Sequence, residues 1–171
     1  MQSSAKALGH PVHQQLVVFP IGLLATAVVF DVLRFITDND GFALASYYMI
    51  AAGIIFGLIA AVFGAIDYLA VPAGTRARRV GAMHGTGNVV VVVLFAVSWL
   101  LRAGKDGHVP TTLAFVLALL GALLATVTGW LGGELVDRLG VGVEPDANPD
   151  APASFETGIR LHRPGGATPR R

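Results

Sequence analysis

The chain has 171 residues, of which 54% are hydrophobic and only 13% charged, with a net charge of +1. Soluble domains average about 25% charged residues, so the composition excludes an ordinary soluble domain, and so small a net charge leaves no basic field for nucleic acid. There is no cysteine, which excludes disulfides, thiolate metal sites, iron–sulfur clusters, covalently attached haem and cysteine nucleophiles.

The stretch GHPVHQQLVVFP, residues 9–20, puts His10 and His13 one helical turn apart at the mouth of a long apolar run. That run, Leu16–Ile36, is broken only by Asp31 and Arg34 and predicts a first membrane helix over about 14–36, since about 20 apolar residues cross a hydrocarbon core of about 30 Å. The triplet ATA at 25–27 imitates a signal-peptide cleavage site, but the apolar run continues through VVF, so the helix is expected to stay. Pro20 cannot donate to the carbonyl of Leu16. Inside a membrane that carbonyl needs another partner.

The second run, Phe42–Ile66, carries no charge and predicts a helix over 42–68 that Asp67 nearly closes. Gly53, Gly57, Ala60 and Gly64 give it a seam of small residues, the feature that lets membrane helices approach closely. The third run, Val80–Leu101, predicts a helix over 80–102, with His84 and Asn88 four apart on one face. The fourth, Val109–Leu131, predicts a helix over 109–133, with a second seam of Gly121, Ala125, Gly129 and Gly133, and Glu134 just beyond. The linkers TDNDG, VPAGTRARR and AGKDGH are short, which forces antiparallel neighbours. The fold class is therefore all-α, an integral membrane four-helix up-down bundle over residues 1–143. The runs lack the two-residue alternation of a membrane β-barrel. Residues 144–171 hold five of the nine prolines and no periodic apolar face, and are expected to form a disordered cytoplasmic tail.

Ten arginines against two lysines, with abundant Ala, Gly and Val, suggest a GC-rich bacterial genome. Arg76, Arg78 and Arg79 in the second loop assign that loop to the cytoplasm, and both termini with it, in an inner membrane. Arg102 and Lys105 at the opposite end run mildly against this. Trp99, Tyr47 and Tyr48 then fall toward the outer interface, and Tyr68 and Trp130 toward the inner one.

In that topology each helix brings one titratable group to the cytoplasmic end: His13, Asp67, His84 and Glu134. His10 and Asn88 extend the same wall. Asp67 has Arg76 or Arg79 as an expected ion-pair partner, and Asp31, near the outer end, has Arg34 three residues on. An intramembrane ionisable group needs such a partner.

The motifs GHPVHQQLVVFPIGL with Asp31, GAIDYL, RRVGAMHGTGNVV and GWLGGELV together resemble the bacterial predicted membrane proteins grouped as domain of unknown function 2231, over about residues 8–143. The resemblance implies four membrane helices, and its polar positions fall on His10, His13, Asp31, Asp67, His84 and Asn88. Some relatives resemble fusions to cytochrome c or Rieske-type domains, which implies a link to electron transport; no such domain is fused here.

Three functions compete. In the first, His13 and His84, with Asn88 beside them, hold a haem b in a redox subunit, and Arg76 to Arg79 meet its propionates. In the second, His10, His13, Asp67 and His84 form a mixed nitrogen and oxygen set for a divalent metal such as Zn, Ni or Fe(II). In the third, the protein is a non-catalytic scaffold whose polar ring serves helix packing. No P-loop, G-x-S-x-G or H-E-x-x-H motif is present, so the reading leans away from an enzyme. The expected partners are the lipid bilayer, a redox protein or a second copy of the chain.

Overall fold

The structure, a computed structural model, describes residues 2–154. A short hairpin of β1 (Lys6–Ala7) and β2 (His10–Pro11) leads into α1 (Val12–Leu16) and α2 (Val18–Thr37). Then come α3 (Asp40–Ala70), α4 (Arg76–Ala103), a 3-10 turn (Asp106–His108), α5 (Thr112–Gly133) and a π-helical turn (Glu134–Arg138). Counting α1 and α2 together, four spans are long and apolar enough to cross a membrane. The four-helix membrane bundle expected from the sequence is the architecture observed.

Local chemistry sets the breaks. Pro20 cannot donate to the Leu16 carbonyl, and the first span is interrupted at Val17, between α1 and α2. Asn39, Thr75 and Thr111 cap α3, α4 and α5, their side-chain oxygens accepting from the amides of Gly41, Arg78 and Ala114. The Thr75 cap starts α4 at Arg76, not at residue 80. Arg76, Arg78 and Arg79 therefore lie in the first turn of a helix, not in a loop. The Thr111 cap likewise starts the last long helix at 112, three residues later than the apolar run suggests.

The interior is small and the exterior apolar. Leu24, Ala27, Val28, Ile50, Val91, Phe95 and Ala118 form the core, while Phe19, Ile21, Ile55, Leu58, Leu123 and Trp130 face outward. Water would penalise such a surface; lipid does not. Helix α2 packs chiefly on α3, and α4 chiefly on α5, with lighter contact between these two hairpins. The glycine seams are used unevenly. A Cβ on Gly53 would fall 2.6 Å from Leu24 Cδ2, and one on Gly121 2.8 Å from Phe95 Cε2. At Gly129 and Gly133 a Cβ meets nothing within 4 Å, so the lower half of the expected α5 seam is not a contact.

Residues beyond the bundle return to the N-terminal segment. Glu144 accepts hydrogen bonds from Lys6 and Gln2, and Ser154 Oγ lies 3.2 Å from His10 Nε2. The remainder of the expected tail, residues 155–171, lies outside the described residues. The hydrogen bond from Lys6 holds the Glu144 carboxyl below its ordinary value of 4.5. A lowered folded value means that the contact is at full strength above 4.5 and is lost as pH falls through that lowered value.

Two outcomes are expected. Limited proteolysis of residues 2–11 should be slow near neutral pH and speed up as the pH drops below 4.5; a flat profile would show that Glu144 does not hold the segment. Gly121→Leu should destabilise the protein by about 1–3 kcal/mol in detergent melts, through overpacking against Phe95, while Gly129→Leu should leave melting unchanged.

Candidate functional site

The polar groups of the interior gather in two places, one toward each end of the bundle. At the first, His13 of α1 and His84 of α4 face each other with ring centroids 6.3 Å apart and planes crossed at 88°. Each ring is held by its own hairpin. His13 Nδ1 lies 2.8 Å from the carbonyl of Ala60 on α3, and His84 Nδ1 lies 2.8 Å from the carbonyl of Thr128 on α5. A carbonyl only accepts, so both Nδ1 atoms carry the proton and donate.

Glycines make room for the rings. A Cβ on Gly64 would lie 2.9 Å from His13 Nδ1 and Cε1, and one on Gly132 would lie 3.2 Å from His84 Cε1. Asn88 Nδ2 donates to His84 Nε2 at 3.1 Å, and its Oδ1 accepts from Thr128 Oγ1 at 2.8 Å. His84, Asn88 and Thr128 thus form a closed network. His13 Nε2 has no hydrogen-bond partner among the described residues.

Other expected members are elsewhere. His10 sits in β2, not on a helix, and is exposed beside Ser154. Asp67 does not pair with Arg76 or Arg79; it accepts from Ser3 Oγ at 2.7 Å and from the Ser4 amide at 2.9 Å. Arg76 pairs with Glu134 at 2.6 Å. Arg78 lies over the Tyr68 ring and donates to the carbonyls of Tyr68 and Val71 at the end of α3. No group of three or more His, Asp or Glu is placed to hold a metal among the described residues. The four-ligand set His10, His13, Asp67 and His84 does not assemble, because the N-terminal segment claims His10 and Asp67.

The second cluster corrects the expected Asp31–Arg34 pair. Asp31 is fully buried and receives Arg102 in a two-point contact, Nη1 to Oδ1 at 2.7 Å and Nη2 to Oδ2 at 2.8 Å. Arg102, read from sequence as a loop charge, is itself fully buried. Ser46 accepts from Nη1 and Ser98 from Nη2, and Ser98 donates onward to the Ala114 carbonyl. All four spans meet there. Arg34 instead pairs with Asp38 and Asp40 at the end of α2. Beside this cluster Tyr47 stacks on His108 at 3.8 Å and on Trp99 at 5.1 Å. Sequence reasoning missed Arg102, Ser46, Ser98 and Thr128. The one readable signal was an arginine ending an apolar helix four residues after a serine.

Four apolar spans closed around paired polar groups define a polytopic membrane protein. The chain belongs to the family of predicted membrane proteins designated DUF2231, whose model matches residues 9–145. No curated protein and no solved structure matches it.

Breaking a buried ion pair leaves one charge without a partner and costs about 3–5 kcal/mol. Asp31→Asn or Arg102→Met alone should therefore lower stability in detergent melts by about that amount. The double variant Asp31→Leu with Arg102→Met should recover most of it. Equal losses in single and double variants would deny the pair its role.

Proposed function

We propose that the protein is an electron-transfer subunit of the bacterial cytoplasmic membrane that carries one haem b between His13 and His84. The carrying observation is the ring pair itself. A metal about 2.0–2.1 Å from an imidazole nitrogen stands about 3.2 Å from the ring centroid. Two imidazoles that would hold a common metal must therefore bring their centroids to within about 6.5 Å of each other. The observed separation is 6.3 Å.

Two further features support the reading. Both Nδ1–H groups donate to carbonyls, the outer-sphere arrangement that fixes ring orientation and makes Nε2 a better ligand. A haem also needs only two protein ligands, and two is the number that the site offers. The divalent-metal reading loses its other donors to the N-terminal segment. The two rings come from different hairpins, whose mutual contact is lighter than the contact within each. Ligation through His84 Nε2 would displace the hydrogen bond that Asn88 Nδ2 donates to it. Arg76 and Arg78 are engaged, so Arg79 is the cation left for a propionate. When bound, haem b supplies one-electron transfer.

The same reading puts the ring pair at the cytoplasmic end. Arg102 is buried in an ion pair and does not count as a loop charge, which leaves Lys105, and Arg34 paired with Asp38 and Asp40, against Lys6, Arg76, Arg78, Arg79 and Arg138. Alkaline phosphatase fused after Gly41 should be active and after Gly74 inactive; the opposite pattern reverses the orientation.

Protein made with haem precursor supplied should show a Soret band and a six-coordinate low-spin spectrum, lost in His13→Ala and in His84→Ala. A colourless wild-type protein would leave the scaffold reading, in which the network of His84, Asn88 and Thr128 only joins helices.

A further inference from the structure

The end of the bundle where Arg76 meets Glu134 holds a cavity apart from both polar clusters. Its volume is about 370 Å³, and its walls include Val71 and Pro72 after α3, Arg76 and Ala77 at the start of α4, and Leu139 and Val141 beyond the π-helical turn. Local chemistry builds these walls. Pro72 disfavours helix in the residue before it, so α3 stops and Val71 takes extended backbone. On the other side Gly140 is left-handed, with φ 64°. The Val141 amide donates back to the Leu135 carbonyl at 2.9 Å, the bond that closes a helix on such a glycine. The chain therefore folds back toward α4 instead of running on along the α5 axis.

The walls are mostly apolar and the rim is cationic. Arg76 lines the cavity, gives one Nη2 proton to Glu134, and keeps a side chain that is 55% exposed. Arg138, next in the chain to Leu139, is exposed and forms no ion pair among the described residues. The first turn of α4 and the π-helical turn together carry Arg76, Arg78, Arg79 and Arg138 against only Glu134 and Asp137. The depth is marked by aromatic residues. Trp130, exposed, stands one turn before Glu134 on α5, and Tyr68 lies under Arg78 at the end of α3. Such residues sit at the level of the lipid headgroups, where a basic pocket between helices meets anionic lipid.

We propose that this cavity binds one anionic phospholipid, with its headgroup phosphate on Arg76 and Arg138 and the first part of an acyl chain between Val71, Pro72, Leu139 and Val141. A free anion would use the cations and leave the apolar walls bare; an uncharged apolar molecule would use the walls and ignore the cations. A phospholipid of negative headgroup uses both, and the membrane supplies it at this depth. The bound lipid joins the end of α3 to the turn after α5. These segments belong to different hairpins, whose mutual contact is the lighter one. The proposal goes beyond the electron-transfer reading and does not depend on it.

The test uses the full chain in detergent, stripped of lipid, titrated with phosphatidylglycerol or phosphatidylcholine and read by native mass spectrometry. One phosphatidylglycerol should be retained per chain in preference to phosphatidylcholine, and excess inorganic phosphate should not displace it. Arg76→Gln and Arg138→Gln should each weaken retention about fivefold, the worth of one basic side chain at an anionic lipid surface. Ala77→Phe fills the cavity without changing charge and should also weaken it. Arg34→Gln makes the same charge change at the opposite end and should leave it unaltered. Equal retention of the two lipids, displacement by inorganic phosphate, full retention by Ala77→Phe, or an equal loss in Arg34→Gln would each overturn the proposal. The comparison of lipids and phosphate on the unaltered chain decides the matter even where a variant does not fold.

Discussion

The contact between Asp31 and Arg102 is the constraint around which the rest is arranged. Two full charges lie where neither water nor lipid can solvate them, and such charges persist only when their hydrogen-bonding groups are met. Asp31 comes from the first span, Arg102 and Ser98 from the third, and Ser46 from the second; the Ala114 carbonyl of the fourth receives the proton of Ser98. One ion pair therefore fixes the register of all four spans at one end. The buried Arg102 Nε and Trp99 Nε1 are the two side-chain donors there without a partner among the described residues.

The opposite end is built on a different principle. There each hairpin satisfies its own histidine through a backbone carbonyl, and the rings face each other across the seam between hairpins. Among the described residues no buried charge pair locks that seam. Its closure is completed by short segments outside the spans, where Ser3 and Ser4 take Asp67 and Lys6 takes Glu144.

Much of the fold was legible because the membrane imposes length and polarity on every span. Partners were harder to read. Asp31 with Arg34 is the obvious pair along the chain, yet Asp31 turns inward to α4 while Arg34 lies at the end of α2 beside Asp38 and Asp40. Asp67 and Arg76 look equally natural, but the amides and hydroxyls of an N-terminal hairpin reach the carboxylate first.

By itself the sequence determined the number of spans, their up-down order and the presence of histidines on two different helices, because these follow from the hydropathy of each segment and the shortness of the linkers. Only the tertiary structure decided which polar groups share a partner. That choice depends on the rotation of each helix about its axis and on its depth against its neighbours. Both are set by a few small residues, Gly53 under Leu24 and Gly121 under Phe95 among them. Such residues look the same in the sequence whether they touch another helix, as Gly132 touches His84, or open space, as at Gly129.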